Sequence, residues 1–118
     1  MTVRRVVANL QVADPQAARA FYGELLGLDI AMDHGWIVTF ASAVQAPAQI
    51  SFASEGGSGT AVPQLSIEVD DVDDIYRKAK GLGLEIVYDL TDEPWGVRRF
   101  YVRDPFGTIV NILSHRED

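Results

Sequence analysis

The sequence predicts an α+β protein built from two copies of a β-α-β-β-β unit. In each half, a strand-like run, a capped helix and three further strand-like runs follow in the same order. Residues 10–14 also align with residues 67–71, and with one residue skipped 27–30 align with 83–86. This alignment brings the two helices into register, which indicates a duplicated supersecondary unit.

The first half opens with a strand and a helix. Side chains alternate over residues 6–12, which predicts a strand with one apolar and one mixed face. Asp14 then provides an N-cap, Pro15 the first helical position and Gly27 the helix end. Between them apolar side chains recur at helical spacing, at Ala17, Ala18, Phe21, Tyr22, Leu25 and Leu26.

Three short strands and a loop complete the first half. The strands are predicted over residues 28–32, 35–41 and 48–53. A loop of small residues, 54–63, follows and is interpreted as a linker between the halves. Its glycines do not predict a phosphate site, because no helix starts after them and no lysine follows.

The second half repeats this order. Residues 65–69 predict a strand, Asp71 an N-cap and Gly83 a helix end. The helical stripe consists of Val72, Ile75, Ala79 and Leu82, and the strands after it are predicted over 86–90, 97–102 and 108–113. A half of about 60 residues is marginal in size, so the halves are expected to need one another or a partner chain.

The last two strands are joined by an Asp-Pro-Phe-Gly segment, residues 104–107. Aspartate at the first position can bond its own backbone, proline at the second presets φ, and glycine at the fourth permits a left-handed exit, which together predict a tight β-turn. After the turn, Asn111 is a polar side chain in an apolar strand, on the same face as Ile109 and Leu113. This amide is a candidate functional group.

Composition excludes several kinds of site and partner. The chain has 118 residues, 47% of them hydrophobic, which suffices for the core of one domain. It has no cysteine, which excludes disulfides, thiolate zinc sites and a cysteine nucleophile and predicts a cytoplasmic location. No signal-peptide pattern or membrane-spanning apolar run is present. A net charge of -7 argues against a nucleic-acid partner and favours a cationic ligand, although solubility alone also explains such a charge.

Motifs spread over nearly the whole chain carry a family resemblance. They are Val12-Ala13-Asp14, Phe21-Tyr22, Leu26-Gly27-Leu28, Glu68-Val69-Asp70-Asp71-Val72-Asp73, Trp95-Gly96 and Arg103-Asp104-Pro105-Phe106-Gly107. Together they resemble the vicinal oxygen chelate superfamily of glyoxalase I, fosfomycin-resistance proteins, extradiol dioxygenases and bleomycin-resistance proteins. The resemblance implies one glyoxalase/bleomycin-resistance-like domain over 1–118, with repeats of about 1–55 and 62–118. Each unit of that family curls a mixed sheet into a half-barrel with helices outside, and paired units enclose a ligand cavity.

The metal-ligand positions of that family are altered in this chain. Metal-using members place His, Glu or Gln on four strands, and the matching residues here are Val7, Ser51, Gln64 and Asn111. One apolar side chain, one hydroxyl and two neutral amides are weak ligands for a divalent metal. No metal or other cofactor is therefore expected, and an enzymatic activity is left open but not favoured. The two histidines, His34 and His115, are expected at the surface rather than as ligands.

The chain looks most similar to the metal-free, bleomycin-resistance-like branch, whose members bind a ligand without transforming it. The segment 95–100, ahead of the Asp-Pro turn, supports that branch. The resemblance predicts metal-independent binding or sequestration of a small organic molecule, cationic or aromatic, by a homodimer with no nucleic-acid or membrane partner. A metal-dependent lyase, isomerase or dioxygenase of the glyoxalase type with atypical ligands is the alternative. An accessory domain that binds another protein is a third hypothesis.

Strand parity selects the residues predicted to line the ligand site. Glu68 is the only carboxylate among them and is interpreted as a cation partner, a general base or an exposed strand-end residue. At least one of Arg98, Arg99 and Arg103 is expected to point inward. Trp36 and Trp95 are candidate aromatic walls, with a dimer seam as the alternative role of either. The predicted ligand-binding residues are Asn9, Gln11, Phe40, Ser51, Gln64, Glu68, Trp95, Arg99, Tyr101 and Asn111.

Overall fold

The computed structural model describes residues 7–44, 49 and 51–116. The chain divides into two compact units, Met1–Ala53, here called unit 1, and Ser54–Asp118, here called unit 2. The described residues form a two-stranded and a four-stranded sheet together with two helical segments. This confirms the α+β class. No helix among the described residues has the length and apolar character needed to cross a membrane.

Unit 1 consists of a short helical segment and a β-hairpin. The helical segment begins as a 3₁₀ turn, Pro15–Ala18, and continues as a π-helix, Arg19–Leu25. Asp14 Oδ1 accepts a hydrogen bond from the backbone N–H of Gln16, which confirms the predicted N-cap. The hairpin pairs strand β1, Asp29–Asp33, with β2, Val38–Ala41. Ala18, Phe21 and Leu25 are the buried apolar side chains of this segment.

Two strands predicted for unit 1 are absent from its described residues. Residues 7–12, 49 and 51–53 carry no strand, while residues 6, 48 and 50 of the two predictions lie outside the described residues. The prediction over 6–12 was therefore wrong for residues 7–12, and that over 48–53 was wrong for residues 49 and 51–53. An alternating pattern fits a half-buried strand only where a neighbouring strand accepts its hydrogen bonds. Val7 and Leu10 are instead about half exposed.

Unit 2 is a complete β-α-β-β-β unit, as predicted. Strand β3, Leu65–Glu68, leads into helix α1, Val72–Gly81, which Asp71 caps through the backbone N–H of Asp74. Three strands follow, β4, Ile86–Asp92, β5, Val97–Arg103, and β6, Ile109–His115. Their order in the sheet is β3-β6-β5-β4, with β3 parallel to β6 and the other pairs antiparallel. The sheet is therefore mixed.

Helix α1 packs on one face of the four-stranded sheet. The ring of Tyr76 on α1 meets the edge of Phe100 on β5 at a centroid distance of 5.2 Å. Four sheet residues of this face are fully buried, namely Phe100, Val102, Val110 and Ile112. Because strand side chains alternate, the intervening residues of β5 and β6 belong to the opposite face. That second face is where the polar side chains of unit 2 gather.

The two hairpin turns of unit 2 share one sequence pattern, acid-Pro-aromatic-Gly. In residues 93–96 the N–H of Gly96 donates to the carbonyl of Glu93 at 3.2 Å, and in residues 104–107 the N–H of Gly107 donates to that of Asp104 at 3.1 Å. Asp104 Oδ1 also accepts from the N–H groups of Phe106 and Thr108. The predicted turn at 104–107 is confirmed, and 93–96 is a second one.

Candidate functional site

The polar face of unit 2 is assembled by strand register. Asn111 on β6 lies between Tyr101 on β5 and Ser66 on β3, and Tyr88 on β4 lies beyond Tyr101. Arg99 lies on β5 two residues before Tyr101, and its side chain is on the same face of the sheet. A single face of the sheet thus carries an amide, a hydroxyl, two phenols and a guanidinium. It is the candidate site.

A buried ion pair stands at one end of this face. The Nε and Nη2 atoms of Arg99 both lie 2.7 Å from Oε2 of Glu93. The two residues are only 4% and 2% exposed. Glu93 Oε1 accepts further hydrogen bonds from the hydroxyls of Ser58 and Tyr88, at 3.1 and 3.3 Å. The positive charge of Arg99 is therefore neutralised within unit 2.

Three aromatic rings surround the guanidinium of Arg99. Its central carbon lies 5.3 Å from the ring centroid of Tyr88 and 5.0 Å from those of Trp95 and Tyr101. These distances are typical of cation–π contacts. Tyr88 and Tyr101 are mostly covered, whereas Trp95 is 50% exposed. Trp95 therefore extends the cluster to the surface.

The loop at residues 56–60, here called the 56–60 loop, folds onto the same cluster. The Tyr101 hydroxyl lies 2.9 Å from Thr60 Oγ1, and Arg99 Nη2 donates to the carbonyl of Gly57 at 3.3 Å. Within the loop, the N–H of Gly56 donates to the carbonyl of Thr60 at 2.9 Å. The segment interpreted as a linker is thus an ordered turn held by Tyr101, Arg99 and Glu93.

Asn111 carries an unpaired buried acceptor. The side chain is 7% exposed, and its Nδ2 donates to Ser66 Oγ at 3.2 Å. Its Oδ1 is buried and, within the described residues, has no hydrogen-bond partner. An unmade hydrogen bond of a buried polar group costs about 1–3 kcal/mol. A buried acceptor without a partner is rare in proteins, and a hydrogen-bond donor on a bound ligand would explain it.

Two other predicted residues of unit 2 lie at the edge strand β3 and have their partners on β6. Gln64 Oε1 accepts from the backbone N–H of Ile109 at 2.8 Å, so this amide aligns β3 with β6. Glu68 Oε2 lies 2.9 Å from Nδ1 of His115, and both side chains are more than half exposed. Of the interpretations of Glu68, the exposed strand-end position is the one observed.

The predicted site residues of unit 1 lie mostly at its surface. Asn9, Gln11 and Ser51 are exposed. Phe40 is half-buried, and its ring lies 6.1 Å from that of Tyr22 on the helical segment. Among the described residues of unit 2, Trp95, Arg99 and Tyr101 lie together, with Asn111 opposite Tyr101 on the neighbouring strand.

The neighbouring arginines of β5 point to opposite faces. Arg98 binds Asp73 of α1 through two hydrogen bonds, at 2.9 and 3.1 Å, and Asp92 through a third. The hydrogen bond from Arg98 lowers the pKa of the Asp73 carboxyl, and the same contact raises the pKa of Arg98. The sequence predicted that at least one of Arg98, Arg99 and Arg103 points inward, and Arg99 is the one that does so and is buried.

Glu93, Tyr88 and the 56–60 loop were missed in the sequence analysis. One available signal was the repeated acid-Pro-aromatic-Gly pattern, which places an acid at the start of each hairpin turn. Both acids are buried. The glutamate is one methylene longer than Asp104 and reaches Arg99, whereas Asp104 bonds its own turn. Side-chain length thus distinguishes the two roles.

The four family metal-ligand positions do not form a fitting donor set. The side chain of Val7 has no donor atom, and the Gln64 oxygen is engaged with the backbone of Ile109. Asn111 retains one free amide oxygen, and Ser51 offers a neutral hydroxyl. Divalent transition metals bind imidazole, thiolate and carboxylate groups. Among the described residues, no group of three or more His, Asp or Glu side chains is placed to hold an ion.

Comparisons with known proteins give a consistent family. Residues 4–112 match the model of the Glyoxalase/Bleomycin resistance protein/Dioxygenase superfamily. A member of that superfamily from Sphaerobacter thermophilus DSM 20745 is 21% identical, with a TM-score of 0.69 and coverage of 97% of this chain and 98% of the other. TioX from Micromonospora sp. ML1 is 22% identical, with a TM-score of 0.64 and the same two coverages.

A lactoylglutathione lyase from Agrobacterium tumefaciens is also similar. It is 23% identical, with a TM-score of 0.61 and coverage of 86% of this chain and 85% of the other. At such identities the likeness concerns the fold. No match is found among curated proteins.

Proposed function

We propose that this chain, which belongs to the Glyoxalase/Bleomycin resistance protein/Dioxygenase superfamily, binds a small organic molecule without a metal and sequesters it, in the manner of bleomycin-resistance proteins. The observation that carries the proposal is the unpaired, buried Oδ1 of Asn111 on the polar face of unit 2. Beside it stand hydroxyl and aromatic groups, while Arg99, the one buried cation among the described residues, is already neutralised. Such a face can form hydrogen bonds with a small organic molecule but offers few ligand atoms to a metal ion.

The charge and the exposed ring indicate the class of ligand. Trp95 presents about half of its surface, enough to stack on a planar group. The chain carries a net charge of -7, which attracts cations to its surface. A planar or aromatic compound with a positive charge satisfies both features.

Calorimetric titration of the chelator-treated protein with bleomycin and with tryptamine tests this proposal. We expect saturable binding of at least one of them, unchanged by prior chelation. Trp95→Ala should weaken binding by about threefold to tenfold, the effect of losing one aromatic or cation–π contact. Leu82→Ala is the control, since Leu82 is also an exposed apolar residue but lies at the end of α1, which packs on the opposite face of the sheet. Absence of binding across both ligands and a wider panel of aromatic amines contradicts the proposal.

The alternative of a metal-dependent enzyme is separated by a second measurement. Elemental analysis of protein purified without chelators should find no stoichiometric metal. Lyase, isomerase and dioxygenase assays with added manganese, nickel and zinc then check for activity. A metal bound at one equivalent, lost together with activity on Gln64→Leu, would replace binding by catalysis as the function.

We also propose that the chain acts as a homodimer in the cytoplasm. The absence of cysteine supports a reducing compartment. Large apolar side chains that are exposed in unit 1 support a second copy as partner, namely Ile30, Met32, Trp36, Val44 and Phe52.

A further inference from the structure

We infer that Asn111 selects ligands that present a hydrogen-bond donor, above all a protonated amine, to its Oδ1 atom. This inference rests on the proposed binding function and names the group that sets its specificity. It assigns to one amide a role that neither the fold nor the family membership specifies.

One end of the amide is occupied by a neighbouring side chain. Nδ2 of Asn111 donates to Ser66 Oγ at 3.2 Å, so the amide's donor side is occupied. The acceptor side, Oδ1, is buried and unpaired within the described residues. An amide oxygen accepts hydrogen bonds and cannot donate them. The group available to a ligand is therefore an acceptor.

Within the described residues of unit 2, the two arginines of β5 on the face of Asn111 are already paired, Arg99 with Glu93 and Arg103 with Glu85. Arg99, the buried cation of this face, is bound by Glu93, Tyr101 and the carbonyl of Gly57. The same-face neighbours of Asn111 along β6, Ile109 and Leu113, are apolar and have no side-chain donor. A ligand carboxylate would meet an unpaired oxygen at this position and no free cation. An ammonium or N–H group meets a complementary one.

Two ligands that share a ring and differ in one group test the inference. Tryptamine and indole-3-propionate both carry indole on a two-carbon chain, which ends in an ammonium in the first and a carboxylate in the second. We expect the wild-type protein to bind tryptamine more tightly by calorimetry. Asn111→Leu, which keeps the approximate volume and removes both polar atoms, should weaken tryptamine by about tenfold to a hundredfold, the range for a hydrogen bond to a charged group.

Asn111→Asp provides a second variant in case Asn111→Leu fails to fold, with folding checked by circular dichroism. It keeps the acceptor and adds a negative charge, so tryptamine should bind at least as tightly as to the wild type and indole-3-propionate more weakly. A preference of the wild type for indole-3-propionate, or tryptamine affinity unmoved by Asn111→Leu, overturns the inference but leaves the proposed function standing. Binding of no tested ligand by the wild type overturns both.

Discussion

Arg99 and Glu93 form a buried salt bridge whose value to the fold depends on both partners being present. Two charges removed from water lose favourable hydration free energy. Their mutual attraction compensates for this loss only when the geometry is good and further hydrogen bonds are made. Here the carboxylate also accepts from two hydroxyls, and the guanidinium donates to Tyr101 and Gly57. The pair is thus well satisfied, and removal of one member leaves the other charged and unpaired.

Glu93→Leu should lower the free energy of unfolding by about 3–5 kcal/mol, because it leaves the Arg99 charge buried without its partner. The double variant Glu93→Leu/Arg99→Met should recover most of that loss, since no unpaired charge remains. Urea unfolding followed by Trp95 fluorescence, in a Trp36→Phe background, reports on unit 2.

The control for this cycle is Arg103→Met, which breaks the exposed pair with Glu85. An exposed ion pair is screened by water, so this change should have a small effect. If the double variant is as unstable as Glu93→Leu alone, the charge pairing is not what the glutamate contributes.

At this scale the sequence predicted some of the site and missed the rest for a definite reason. Asn111 stood out because one polar residue in an apolar strand is a local signal. Glu93 did not, because its role depends on where a turn aims its side chain and on an arginine across the hairpin. Pairings of that kind are nonlocal and leave no periodic pattern.

Among the elements, the 56–60 loop depends on glycine for two separate reasons. Gly57 has φ +83°, and a Cβ added there would lie 2.7 Å from Cη2 of Trp95. Gly59 has a similar φ, +75°, but a Cβ there would meet nothing within 4 Å. An L-residue at either position would therefore be strained in its backbone, but only at Gly57 would its side chain also meet another group.

Gly57→Ala should destabilise unit 2 more than Gly59→Ala. The left-handed backbone costs an L-residue about 1–2 kcal/mol at either site, and only Gly57→Ala also displaces the Trp95 ring. Hydrogen exchange of the loop amides and urea unfolding measure the two effects. Equal losses in the two variants would show that the contact with Trp95 contributes nothing.

The β1–β2 hairpin of unit 1 should weaken in acid through Asp33. The backbone N–H of Gly35 is the main cause that lowers the pKa of the Asp33 carboxyl, with Gln16 and Arg19 adding to it. A lowered pKa means that the ionised form stabilises the hairpin. The stabilisation is complete above the ordinary value of 3.8 and is lost as the pH falls through the lower folded value.

Trp36 fluorescence in a Trp95→Phe background follows this hairpin, because Trp36 lies in its turn. With Asp33 present, the Trp36 fluorescence should show a transition below pH 3.8. Asp33→Asn in the same background should abolish it. A transition of equal size in both proteins would assign the acid response to other carboxyls.

The elements themselves were predicted with uneven success because their signals differ in range. Asp14 and Asp71 were identified as N-caps from adjacent residues, and both caps are observed. The prediction over 6–12 relied on alternating side chains and that over 48–53 on local composition, although a strand also needs a neighbour. Unit 2 has that neighbour, since β3 pairs in parallel with β6.

For the whole molecule, the two halves share one sequence pattern but differ in what they bury. Unit 2 encloses Phe100, Val102, Val110 and Ile112 between its sheet and α1. Unit 1 buries mainly residues of its helical segment and leaves large apolar side chains exposed. The repeat was visible in the sequence, whereas this asymmetry was not, because burial depends on contacts between distant segments.

That exposed apolar surface leads to the prediction of a dimer. A half of about 60 residues buries too little surface on folding to be very stable alone. A second copy can cover the apolar surface that stays exposed. In sedimentation the wild type should have twice the 13.0 kDa mass of the chain. Trp36→Lys combined with Phe52→Lys should shift it to the monomer, because a charge in an apolar interface is costly to bury.

Leu82→Lys is the matched control, since Leu82 is also an exposed apolar residue but ends α1 in unit 2. It should leave the mass unchanged if unit 1 supplies the interface. Phe52 is 90% exposed in the single chain, which makes it the more sensitive of the two probe positions. A wild type that sediments as a monomer at the concentrations used for ligand titration contradicts the dimer, and the apolar side chains of unit 1 would then need another partner.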